Sequence, residues 1–93
     1  MTEIGDSVAY VLIETQPGKE GHVYDTLKKI PGIEDVHLLH GEYDIIVKIA
    51  SKDSHHKIGK KVVYEIRPVE GVEMTTTLLC LKPDAFLKSE EHL

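Results

Sequence analysis

The chain has 93 residues, 41% hydrophobic and 29% charged, which suits one globular domain with a modest core and excludes an intrinsically disordered one. A formal net charge of −5, with no cluster of lysine or arginine dominating one segment, argues against tight nucleic-acid binding of the kind that neutralises phosphates. The single cysteine, Cys80, excludes an intramolecular disulfide and fits a reducing compartment. The polar start from Met1 to Asp6 carries no signal peptide, and no apolar stretch is long enough for a bilayer, so a cytoplasmic protein is expected.

Ser7 to Glu14 is rich in β-branched and large apolar residues and reads as a strand. Gln16-Pro17-Gly18 is a turn that also suits a helix start. Lys19 to Ile30 follows as a helix, with Val23, Leu27 and Ile30 on one apolar face, and Pro31-Gly32 stops it. Ile33 to His40 is the second strand. Gly41-Glu42 turns the chain into a third strand, Tyr43 to Ala50, forming a hairpin. Asp53 or Ser54 can cap a second helix, whose face is Ile58, Val62 and Ile66 with Val63 beside it. Pro68 closes that helix, and Gly71 opens the last strand, Val72 to Leu81. The domain is thus expected over residues 1–81, followed by a polar tail, Lys82 to Leu93, with one Phe86-Leu87 pair.

The order β-α-β-β-α-β, with two similar halves, predicts an α+β ferredoxin-like sandwich: a four-stranded antiparallel sheet with two helices on one face. Right-handed crossovers place the first and third strands at its centre. In a lone two-layer sandwich the face away from the helices meets water and should be polar. Here Val8, Tyr10 and Leu12 alternate with Ala9, Val11 and Ile13, and Ile45, Val47 and Ile49 alternate with Ile46, Lys48 and Ala50. Both faces are largely apolar, the pattern of strands covered on two sides. Two helices cover one side, so another copy of the sheet is expected on the other, making a homo-oligomer with facing sheets.

No catalytic site is expected. Ser7, Ser51, Ser54, Ser89 and Cys80 sit in no nucleophile motif, and Cys80 at a strand end reads as a small packed hydrophobe. His37 and His40, three apart on a strand, point to opposite faces; His55 and His56 diverge on a helix; no zinc site within one chain follows. Gly18 and Gly21 flank a strand-to-helix turn but lack the third glycine and the lysine of a phosphate loop.

Two constellations remain. In Gly41-Glu42-Tyr43-Asp44, turn chemistry explains a glycine of unusual φ and a capping aspartate. The same residues set a ring and a carboxylate beside free backbone groups, as the recognition of an α-amino acid requires. Thr75-Thr76-Thr77 is a sensible strand sequence, yet alternation directs at least one hydroxyl toward the helices, where an unsatisfied group is costly and a hydroxyl-lined pocket would use it.

The stretch from Ser7 to Leu81 resembles the effector-binding domain of the leucine-responsive/asparagine-specific (Lrp/AsnC, feast/famine) transcriptional regulators, the regulation-of-amino-acid-metabolism (RAM) domain. The resemblance rests on AYVLIET before a proline-glycine turn, on Ile30-Pro31-Gly32-Ile33, and on Val36-His37-Leu38 leading into Gly41-Glu42-Tyr43-Asp44-Ile45. Gly71-Val72 followed by the three threonines completes it. It implies dimers formed by facing sheets, assembling as rings into an octamer or decamer, with an amino-acid effector bound between dimers. The matching effector-binding residues are Gly41, Tyr43, Asp44, Thr75, Thr76 and Thr77, with Asp44 either meeting the effector's ammonium or fixing the hairpin. No cofactor is implied. Family members carry an N-terminal helix-turn-helix domain, whereas six residues precede the first strand here. The expectation is therefore a stand-alone, non-enzymatic, amino-acid-responsive sensor that modulates full-length regulators by co-assembly, with no direct DNA contact. Its rivals are a small dimeric α/β-barrel enzyme using His22, His37 or His40, and a purely structural assembly subunit.

Overall fold

The computed structural model describes residues 7–52 and 55–80. Its elements are β1 (Ser7–Thr15), α1 (Glu20–Leu27), β2 (Ile33–Leu38), β3 (Ile45–Ser51), α2 (His55–Lys61) and β4 (Val72–Leu79). The sheet order is β2-β3-β1-β4 and every neighbouring pair is antiparallel, so β1 and β3 are central as the crossovers require. The predicted ferredoxin-like sandwich is the fold observed.

Alternation builds the core. Ala9, Val11 and Ile13 from β1, Ile45, Val47 and Ile49 from β3, and Val36 from β2 are buried together with Val23 and Leu27 of α1. Ile58, Val62 and Ile66, four residues apart, bring the second helical segment onto the same cluster. Ile30 lies beyond α1 but still packs against this core. Each large aliphatic side chain so buried stabilises the fold by about 1.5–3 kcal/mol.

Several boundaries differ from expectation, each for a local reason. Helix α1 ends at Leu27 because the chain tightens: the N–H groups of Lys29 and Ile30 donate to the carbonyls three residues back, Thr26 and Leu27. The second helix widens after Lys61 into a π-helical turn, Val62–Ile66, where Arg67 N–H donates to the Val62 carbonyl at 2.9 Å. Val63, expected beside the apolar face, is exposed. The hairpin is not a two-residue turn. Strand β2 stops at Leu38 and β3 starts at Ile45, leaving residues 39–44 as the connection. Strand β4 is described to Leu79; the expected caps Asp53 and Ser54, and the tail from Lys82, lie outside the described residues.

Gly71 shows how the two halves are held. Its φ of +102° is one that side chains rarely adopt, and a Cβ there would sit 2.9 Å from both Lys19 Cβ and Val23 Cγ2. The bare backbone lets the turn before β4 press on α1, and its carbonyl accepts from Gln16 N–H at 2.8 Å.

Candidate functional site

The hairpin and the threonines meet at one end of the sheet. Strand β1 ends at Thr15, with Ile45 at the start of β3 paired to Ile13 on one side and Thr75 of β4 paired to the same Ile13 on the other. Two constellations 31 residues apart in sequence at their nearest, Asp44 and Thr75, thus flank the C-terminal end of β1.

Asp44 organises this end. Its Oδ2 accepts from Thr15 N–H at 2.8 Å and from the Thr15 hydroxyl at 3.2 Å. Its own N–H donates to the Ile13 carbonyl at 2.9 Å, and its carbonyl accepts from Leu39 N–H at 2.8 Å. The residue therefore closes the connection and ties it to β1. Thr15 is buried (8% exposed), and the carboxylate satisfies groups that would otherwise be unpaired away from water. Of the two roles expected for Asp44, hairpin fixing is the one these bonds perform.

Tyr43 is half-buried and Gly41 exposed. The unusual φ expected at Gly41 is not found: among the described glycines, positive φ belongs to Gly18, Gly32 and Gly71. A Cβ at Gly41 would meet nothing within 4 Å, so the turn itself does not require glycine there. The threonines also differ from expectation. Thr76 shares the open face with Leu12, and alternation sends Thr75 and Thr77 to the helix side. Because β4 is an edge strand, Thr76 and Thr77 are exposed and Thr75 half-buried, and no hydroxyl incurs a burial cost.

The second candidate surface is the sheet face away from the helices. Tyr10 pairs with Lys48 on one side and Leu78 on the other; Leu12 lies between Ile46 and Thr76; Val8 pairs with Ala50. Leu78 and Met74 are 51% and 61% exposed. The apolar stripe runs across three strands, with Lys48, Asp35 and His37 toward the β2 edge. A cavity of about 210 Å³ lies among Tyr10, Asp35, His37, Ile46 and Lys48.

The histidines proposed for an enzyme are dispersed. His22 lies on α1, on the helix side; His37 faces the other way from β2, opposite Ile46; His40 falls in the connection rather than on a strand, so the opposite-face argument does not apply to it. Among the described residues no three His, Cys, Asp or Glu side chains cluster to hold a metal ion, and no helix is long and apolar enough to cross a membrane. Cys80 is half-buried, its N–H bonded to the Val8 carbonyl at 2.9 Å.

Residues 8–84 match the family described as the Lrp/AsnC ligand binding domain. The chain belongs to this family. A helix-turn-helix transcriptional regulator of Pyrococcus furiosus, itself uncharacterized, is 33% identical over 76 residues, covering 78% of this chain and 50% of the regulator. The chain thus spans about half the length of the curated regulators it matches. The crystal structure of FFRP-DM1 superposes with a TM-score of 0.74 at 29% identity, covering 81% of this chain and 99% of that one. A homocitrate synthase of Sulfurisphaera tokodaii is 33% identical over 97 aligned residues, 88% of this chain and 21% of the enzyme. Membership explains the fold and gives the chain the role of a regulatory ligand-binding domain.

Proposed function

We propose that this Lrp/AsnC domain is a non-enzymatic, amino-acid-responsive oligomeric sensor of the cytoplasm that modulates transcription regulators by co-assembly. The observation that carries the assembly part is the apolar open face: Tyr10, Leu12 and Ile46 lie on the side the helices leave bare. A second sheet of the same kind covers that stripe. The dimers then join into an octamer or decamer, which sets Gly41, Tyr43 and Thr75–Thr77 at a boundary between dimers. There the threonines, divided between the two faces of edge strand β4, offer hydroxyls to the amino-acid effector's polar groups, Gly41 leaves room for it, and Tyr43 supplies a wall. Asp44 acts on the effector through the hairpin it fixes. The mechanism is linkage: the effector favours the assembly that completes its pocket, by no more than its differential affinity for the two states.

A thermal-shift screen against the twenty amino acids tests this reading. An effector at about 100 times its dissociation constant adds about 2.7 kcal/mol per site, and the gain disappears in Thr76→Val. Twenty flat curves would remove the effector from the account.

The alignment with homocitrate synthase favours a second reading, in which the same sensor acts on an enzyme instead of a regulator. The two separate on mixing the purified chain with each partner class. Mixed oligomers with an Lrp/AsnC regulator support the first; an amino-acid-dependent change in the enzyme's turnover supports the second.

A further inference from the structure

Toward β2, the apolar stripe of the open sheet face gives way to charged groups. The cavity of about 210 Å³ on that face belongs to both: Tyr10 and Ile46 are part of the stripe, and Asp35, His37 and Lys48 complete its lining. A second sheet that covers Tyr10 and Ile46 therefore closes over Asp35 and His37 as well.

The strand register groups these charges. Ile33 pairs with Ile49 and Asp35 with Lys48, so β2 bulges at Glu34. The Glu34 carboxylate lies 3.6 Å from Lys48 Nζ, and the cavity's ammonium is thus engaged by an acid outside its lining. Asp35, opposite Lys48 in register, forms no ion pair among the described residues. His37, two residues on, shares its face and stands opposite Ile46. The groups around the imidazole are the carboxylates of Glu34 and Asp35 on β2, the Lys48 ammonium on β3 and the Tyr10 phenol on β1. The residues outside the described range join the sheet at its other end. There Ser7 pairs with Ser51, five residues along β3 from Ile46, or about 17 Å.

Two carboxylates against one ammonium leave a surplus negative charge on this patch. Asp35 is exposed in the protomer, where water solvates it. Under a second sheet the same carboxylate lies against apolar surface, which is costly unless a cation joins it. Histidine is the side chain that becomes a cation near neutral pH. The meeting of two chains of formal charge −5 favours proton uptake further.

We infer that His37 makes association of the facing sheets proton-linked: it takes up a proton as the sheets close, and its imidazolium pairs with Asp35. The inference rests on the facing-sheet reading above and adds its regulation. The extra stability of the assembly is present in mild acid, where a free imidazole is already charged, and is lost as pH rises.

Sedimentation of the full chain across dilution, at about pH 5.5 and about pH 8.5, tests it. The dissociation constant is lower at the acid end on the order of 10²-fold, about tenfold for each of two imidazoles. His37→Gln removes most of that difference, whereas His22→Gln, on the helix side, keeps it. His37→Lys supplies a cation at both pH values and associates in alkali about as tightly as the parent does in acid. Asp35→Asn removes the charge to be answered and also flattens the response. His37 and Asp35 are exposed, and circular dichroism checks that each variant folds. An oligomer whose affinity is the same at both pH values overturns the inference and leaves the facing sheets standing. A response that survives His37→Gln also overturns it, since another group then takes up the proton. A monomer at every pH and concentration overturns the facing-sheet reading itself, and this inference with it.

Discussion

Asp44→Ala unfolds at a temperature roughly 10 °C below the parent. The substitution strips the acceptor from Thr15 N–H and from the Thr15 hydroxyl, bonds of 2.8 and 3.2 Å. Leaving such groups unpaired at a buried position costs about 1–3 kcal/mol. In a domain of this size each kcal/mol corresponds to about 4–8 °C. Asp44→Asn keeps an oxygen that can accept from Thr15 and loses less than half as much. Thermal unfolding followed by circular dichroism reads both. A midpoint for Asp44→Ala within a degree of the parent would mean that water replaces the carboxylate without loss. The pair also separates structure from recognition. If Asp44→Asn retains stability but no longer answers the effector, the carboxylate meets the ligand's ammonium as well as holding the hairpin.

Leu12→Glu dissociates the oligomer and leaves the protomer folded. Leu12 lies on the sheet face away from the core, between Ile46 and Thr76, so a carboxylate there is solvated in the monomer. In a dimer of facing sheets it is buried against apolar surface, and the nearby Lys48 ammonium on that face is already paired with Glu34 at 3.6 Å. A cost of about 3 kcal/mol per copy, counted twice, raises the dissociation constant on the order of 10⁴-fold. Sedimentation velocity reads the mass, and far-ultraviolet circular dichroism the fold. An oligomer of unchanged mass and affinity would place the interface elsewhere. Unfolding of the variant would instead show that the two sides of the sheet are not energetically separate.

The faces of the sheet were legible because strand alternation has a period of two. Ala9, Val11 and Ile13 could point to the core only if Val8, Tyr10 and Leu12 pointed away, and the register of β1 against β3 shows that they do. The helix face Ile58, Val62 and Ile66 was legible for the corresponding reason. The π turn was not: buried residues four apart suit an α-helix, and the added residue per turn is visible only in the bond from Arg67 to Val62. The hairpin misled in a different way. Tyr43 and Asp44 read as the start of a strand, but Asp44 is recruited by Thr15, 29 residues earlier, and no local pattern announces a bond of that range. The threonines show the limit set by topology. Their alternation was correct, whereas their exposure depends on β4 being an edge strand beyond the helices' cover. Glycine at position 41 has no conformational explanation here, which leaves open space at the surface as its consequence in the fold.

The central claim is that ligand and assembly are coupled through the uncovered sheet face and the hairpin end beside it. The most direct test is the native mass of the full chain, measured across dilution with and without the amino acid that gives the largest thermal shift. The account predicts even-numbered assemblies of the 10.4 kDa chain whose distribution moves with the ligand. A 10.4 kDa monomer at every concentration, or an assembly whose mass never responds to any amino acid, would contradict it.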